Sequence, residues 1–368
     1  MSLPVEVVGA TVAGVHWTVG GKVLLLAPKQ GWAEVLPGAE LTASGLLAPA
    51  TRPDLTVAVL RVRGPPADAT PGPWWQQVAD VMRDGLRRAS SEALPERPAQ
   101  LLPGLAIGDT STMSAVVREE FRTTGLTHLT AVSGANLVII VGAVFGLVGL
   151  LRGGPRARVV FSALALLGFV IVVRPSPSVL RAAVMGAVGL VAVLAGRQRS
   201  AVPALAAAVI GLLLVDPALG TDPGFALSVL ATGALVLLAP GWVRGMRAAG
   251  VPPGVAEALA VPAAAHLVTA PVVAGLSGQV SLVAVVANLL AGPAVAPATV
   301  LGVLAAIAST VSPILARVLA WVAGPSVRWL VGVAHWGAGI PGAAGWPPPW
   351  RWLCCWSCAA AGGCARSR

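Results

Sequence analysis

The chain has 368 residues, 56% hydrophobic and 11% charged, with a formal charge of +10. An ordinary soluble domain carries roughly 25% charged residues, and a soluble fold of this length could not cover so much apolar surface, so the composition excludes a water-soluble globule and favours a membrane protein. All four cysteines fall between Cys354 and Cys364, which excludes a disulfide framework or a cysteine metal cluster in the body of the chain.

The charge is unevenly placed. Residues 1–122 hold eleven Lys/Arg and twelve Asp/Glu, and the remainder holds 25 − 11 = 14 Lys/Arg and 15 − 12 = 3 acids, namely Asp216, Asp222 and Glu257. A pI near 11.2 would suggest nucleic-acid binding in a soluble protein. Here arginines in short loops between apolar runs account for most of it, as membrane topology requires.

Residues 1–70 are expected to form a small OB-like β-barrel. Val5–Val8, Lys22–Leu26, Leu41–Gly45 and Leu55–Val62 are short and β-rich, and Gly, Pro and Asp turns separate them. Trp17 and Trp32 are its candidate stacking aromatics, with a place in the domain core as the simpler role. After Pro71-Gly72-Pro73, the spacing predicts a helix over Trp74–Ala93. Trp75, Val78, Met82, Leu86 and Ala89 line one face, and Asp80, Arg83, Asp84, Arg87 and Arg88 fill the other. Such a helix suits the membrane interface or packing on its own β domain.

From residue 126 the apolar runs lengthen. Candidate spans are Leu126–Leu151, Ala157–Val173, Val179–Ala195, Val202–Val215, Gly224–Ala239, Val255–Ala274, Val280–Ala308 and Ile314–Ala334, for about 7–9 transmembrane segments. Val280–Ala308 reads as one long segment or two short broken ones. The full reading is therefore a polytopic α-helical membrane protein: a β domain at 1–70, an amphipathic helix and connector at 71–125, a multi-helix membrane domain at 126–350 and a Cys/Arg-rich tail at 351–368. Arg152, Arg156 and Arg158 follow the first span, Arg197 and Arg199 the third, and Arg244 and Arg247 the fifth, whereas Asp216 and Asp222 follow the fourth. Basic odd loops place those loops in the cytoplasm and the N-terminal domain outside it. Export of that domain then calls for an internal signal anchor in the first span or for an upstream segment.

Polar residues gather at three places. Thr127, His128, Thr130, Ser133 and Asn136 interrupt the first apolar run, and such groups should face protein or water rather than lipid. Ser133 with His128 suggests a nucleophile and base, but no third orienting group is evident. Arg174 flanks the second span, and Arg181 falls inside the third, where it snorkels or faces a cavity. Asp216 and Asp222 sit at segment ends, where carboxylates cap helices, and Pro223 suits a first helical turn. Later, His266 and Asn288 lie among Pro262, Pro271, Gly292 and Pro293, a composition that suggests broken helices lining a passage.

At these clusters the sequence resembles the ComEC family, the inner-membrane channel of natural DNA transformation. Gly108-Asp109-Thr110-Ser111 matches its Gly-Asp-x-Ser element. Phe121 to Gly134 matches the Phe-Arg-x-x-Gly-Leu-x-His-Leu-x-Ala-x-Ser-Gly run, which includes Gly125 and His128. Pro177 to Met185 matches Pro-Ser-x-x-Arg-Ala-x-x-Met. Asp216-Pro217 with Gly224-Phe225-Ala226-Leu227-Ser228, then Asn288-Leu289 with Pro293, complete the order over residues 105–300.

The resemblance implies a channel that passes single-stranded DNA into the cytoplasm across the cell membrane, with no catalytic step, cofactor or metal. DNA and the lipid bilayer are the implied partners, together with a competence DNA receptor, a cytoplasmic translocase and further copies of the chain. It also implies an extracytoplasmic OB-like domain in the place of residues 1–70. Family members often add a metallo-β-lactamase-like domain. The four histidines here, His16, His128, His266 and His335, are unclustered, so no such nuclease is expected. The abrupt Cys354-Cys355-Trp356-Ser357-Cys358 composition is read as a frameshift near residue 353 and a truncated chain. His128, Ser133, Asn136, Arg181 and Asn288 are the pore-lining or structural candidates. A small-molecule secondary transporter and an intramembrane serine hydrolase are the alternative functions.

Overall fold

Four strands open the chain: β1 (Ser2–Val12), β2 (Val15–Leu26), β3 (Gly45–Pro49) and β4 (Thr56–Val62). They belong to a computed structural model that describes residues 2–340 except 13, 29, 33–34, 50–55, 131–133, 175–176, 195–200 and 278–282. The Cys/Arg-rich tail therefore lies outside the described residues. The chain divides into two compact units, Met1–Asp80 and Val81–Arg368.

In the first unit the sheet order is β1-β2-β4-β3. β1 and β2 make an antiparallel hairpin around Gly14, whose φ of +81° suits glycine. β2 pairs parallel with β4, and β4 pairs antiparallel with β3. The sheet is open, with β1 and β3 at its edges, so the described strands do not close the expected OB-like barrel. The third strand also differs from its expected place at Leu41–Gly45. There only Thr42 bridges, to Ala67, and β3 begins at Gly45, whose Cα lies so close to the Arg61 carbonyl that no side chain would fit. Val23, Leu25, Ala27, Trp32 and Ala58 form the core. Trp32 is fully buried and its indole N–H donates to the Gly64 carbonyl at 2.9 Å, whereas Trp17 is 58% exposed.

The helices follow in order. α1 spans Trp74–Ala93, α2 Glu96–Ile107, α3 Ala115–Thr123 and the single turn α4 Thr127–Thr130. Then come α5 (Gly134–Leu150), α6 (Pro155–Val173), α7 (Pro177–Leu194) and α8 (Ala201–Val215). A 3₁₀ turn at Pro217–Thr221 leads into α9 (Pro223–Leu237) and α10 (Ala239–Ala248), followed by α11 (Pro253–Ser277), α12 (Val283–Ala308) and α13 (Pro313–Ala338). Prolines at N1 or N2 start α6, α9, α10 and α13, where a missing N–H costs nothing.

Among the described residues, five stretches are long and apolar enough to cross a membrane: Pro155–Val173, Pro223–Ala248, Pro253–Gly275, Val286–Ala308 and Pro313–Ala338. Three shorter apolar helices, α5, α7 and α8, accompany them. Leu147, Leu150, Leu164, Leu167, Leu214 and Val215 are more than half exposed, the arrangement that lipid rather than water permits. The first expected span is divided. Its polar residues Thr127, His128 and Thr130 belong to α4, and the apolar helix starts only at Gly134. The segments expected to be broken at Pro262, Pro271 and Pro293 run as the continuous helices α11 and α12.

Two larger cores position most of these helices. Leu86, Leu101, Leu102, Leu105, Val117 and Phe121 from the early helices pack with an alanine-rich seam of α12 and α13: Ala287, Ala291, Ala298, Ala305, Ala316, Ala320 and Ala334. Small residues let the two backbones approach closely. Leu137, Ile140, Val159, Leu166, Phe169, Val179 and Leu190 knit α5, α6 and α7.

Candidate functional site

The polar motif residues gather where α5, α7 and α9 begin. Asn136, in the first turn of α5, is fully buried, and its side-chain amide donates to the Leu105 carbonyl at 2.8 Å. That carbonyl is in the last turn of α2, where helix carbonyls have no intrahelical partner, so one asparagine ends α2 and pins the start of α5. Gly134 faces the first turns of α7, where a Cβ would stand 3.2 Å from that of Ala182.

Arg181, one turn into α7, keeps only 4% of its side chain exposed. Its guanidinium donates to Asp222 Oδ2 at 3.0 Å and to the Gly224 carbonyl at 3.0 Å, and lies 5.7 Å from the centre of the Phe225 ring. Asp222 divides its oxygens. Oδ1 accepts from the Gly224 amide at 2.9 Å and caps α9, while Oδ2 holds Arg181. Asp216 caps the preceding 3₁₀ turn through the Ala218 amide at 3.2 Å. The two acids are thus helix caps, and the cation at Arg181 meets a carboxylate.

The Gly108-to-Ser111 element is a turn. Gly108 ends α2 in the left-handed region at φ +75°. Asp109 Oδ1 accepts from the Ser111 amide at 3.0 Å, and Arg87 of α1 lies 3.2 Å from Oδ2. Ser114 then caps α3 by accepting from Val117 N–H at 3.3 Å. Gly125 is required twice over: its φ is +69°, and a Cβ would come within 2.6 Å of the Ala284 Cβ on α12. His128 is exposed, with Nδ1 3.2 Å from the Gly125 carbonyl. Ser133 lies outside the described residues. Asn288 donates to the Ala284 carbonyl one turn earlier in its own helix at 2.8 Å. Ser228, one turn into α9, offers its carbonyl to the Thr232 hydroxyl at 2.8 Å.

Three groups escaped the sequence reading. α1 buries Gln76, Ala79, Arg83, Leu86 and Ser90, and leaves Trp74, Trp75, Val78 and Val81 exposed. Arg83, expected on the polar outer face, is 4% exposed because its guanidinium caps the end of α6, with Nε 2.7 Å from the Val172 carbonyl and Nη2 3.3 Å from that of Ile171. The step of three and four residues from Gln76 to Ser90 was the available signal. Glu120 of α3 meets His335 of α13 at 2.8 Å and Arg97 of α2 at 3.3 Å. Trp329 of α13 donates to the Leu290 carbonyl of α12 at 2.7 Å. No group of three His, Cys, Asp or Glu is placed to hold a metal ion among the described residues.

The N-termini of α5, α7 and α9 thus share one end of the bundle. Asp222 caps the α9 terminus, and the positive poles of the three helix dipoles point to that end. Long helices that turn leucine and valine outward fit a polytopic α-helical membrane protein. The family model described as Competence protein matches residues 105–368, and the chain belongs to that family. Membership points to a role in DNA uptake during transformation. No curated protein and no solved structure matches the chain at a significant level.

Proposed function

We propose that the chain conducts single-stranded DNA across the plasma membrane into the cytoplasm during natural transformation, and that residues 1–80 lie outside the cytoplasm. The observation that carries this is the meeting of three helix N-termini around Arg181 and Asp222 at one end of the bundle. The turn from α5 into the start of α6 carries Arg152, Arg156 and Arg158, and the far end of α10 carries Arg244 and Arg247, the mark of a cytoplasmic face. The gathered N-termini then face outward, where an incoming polyanion first meets the membrane.

On this reading the chain performs no catalytic step. A competence DNA receptor delivers the strand and a cytoplasmic translocase draws it inward. The test is import of fluorescent DNA into cells with and without the gene, with surface-bound DNA followed separately. Loss of import with surface binding intact supports a channel. Unchanged import in the deletion strain overturns it.

A further inference from the structure

We propose that α12 does not cross the bilayer: it begins and ends on the face where α5, α7 and α9 begin. Its length and apolar composition mark it as a candidate span, but the contacts at its end say otherwise.

The argument is one of parity. α5 and α6 form an antiparallel hairpin, with Ser162 donating to the Val141 carbonyl at 3.4 Å, so the start of α5 and the end of α6 share a face. The Arg181–Asp222 pair brings the starts of α7 and α9 to that same face. Two separate bridges bring the end of α12 there as well. Through α1, Arg83 holds the Val172 carbonyl of α6 while Gly85, two residues on, touches Ser309 just past the end of α12. Through α2, Leu105 receives Asn136 of α5 while Ala106 and Leu102 lie 2.6 and 3.0 Å from where a Cβ on Gly302 of α12 would be.

Between the start of α9 and the end of α12 lie three elements: the continuous Pro223–Ala248 stretch, α11 and α12. Residues 249–252 and 278–282 connect them. At about 3.5 Å per residue, connections this short cannot span the roughly 30 Å hydrocarbon core. Three full crossings would put Ser309 on the opposite face from Asp222, so one of the three does not cross. Only 11% of the apolar stretch Pro223–Ala248 and 18% of that in α11 are buried within the chain, against 44% in α12. The first two show their apolar surface to lipid, while α12 spends its own on α2 and α13. That explains its hydropathy, since a helix apolar all round is either a span or a buried core element.

The test uses the full chain with Cys354, Cys355, Cys358 and Cys364 replaced by serine and one cysteine added at a time: Thr221→Cys at the start of α9, Ala249→Cys after α10 and Val311→Cys after α12. A membrane-impermeant maleimide is applied to right-side-out and inverted vesicles, with the protein level in each membrane fraction as control. We expect Val311→Cys to label from the side that labels Thr221→Cys, and Ala249→Cys to label from the other. Labelling of Val311→Cys from the side of Ala249→Cys, or from both sides, overturns the proposal. The readout does not depend on the cargo, so it stands or falls apart from DNA conduction.

Discussion

Arg83 Nε lies 2.7 Å from the carbonyl oxygen of Val172, so a residue of α1 completes the C-terminus of α6, 89 positions away. A buried cation at a helix C-terminus satisfies orphan carbonyls and meets the negative pole of the dipole. Replacing Arg83 with methionine keeps much of the volume and removes the donors. Hydrogen bonds to a charged group contribute about 1.5–3 kcal/mol, and thermal unfolding in detergent should fall by several degrees, with Arg83→Lys intermediate. An unchanged midpoint for Arg83→Met would show that water caps α6 equally well.

The Arg181–Asp222 pair should behave as a unit. Removing one partner of a buried pair costs about 3–5 kcal/mol, and the lower end applies here because the Asp222 side chain is 36% exposed. Arg181→Met and Asp222→Asn should each lower the unfolding midpoint, and the double variant should be more stable than Arg181→Met alone. A double variant whose loss equals the sum of the two single losses would argue that the contact contributes nothing.

Gly125 offers a compensation test. Alanine there meets Ala284 and strains a φ of +69°. Overpacking of this kind costs about 1–3 kcal/mol. Ala284→Gly should restore part of the loss in Gly125→Ala, because it relieves the clash and leaves the backbone strain. Complete recovery would mean that the positive φ imposes no strain.

At Asp109 the two oxygens have separable roles. Asp109→Asn keeps an acceptor for the Ser111 amide and gives up the charge facing Arg87, while Asp109→Ala loses both. The alanine variant should be less stable than the asparagine variant by about 1 kcal/mol, read from denaturant or thermal unfolding. Equal losses would place the whole effect in the Arg87 contact.

Much of the membrane half was legible because length and apolar content identify helices directly. The stretches from Ala157 to Ala334 reappear as α6 to α9 and α11 to α13 with ends shifted by a few residues, while α10 over Ala239–Ala248 has no counterpart among them. The caps at Asp216 and Asp222 were legible too, since a carboxylate before a proline fits a helix start. What escaped depends on partners far away in the chain. Nothing local links Arg181 to a carboxylate 41 residues later. Arg83 was misplaced because charge suggested the outer face, and the partner that buries it is a helix end rather than an opposite charge. The β domain misled in the same way: strand propensity found β1, β2 and β4, placed the third strand before its true position at Gly45–Pro49, and could not say that β2 pairs parallel with β4 and leaves the sheet open.

The alanine seam between α12 and α13 has a mechanical consequence. Ala291, Ala298, Ala305, Ala320 and Ala334 bring the two backbones close, with few longer side chains such as Leu330 that could swap rotamers and let the helices slide. Such a contact either stays shut or comes apart, and the Trp329 indole on the Leu290 carbonyl fixes its register. The pair is a stiff strut, and any larger motion of the bundle must flex around it.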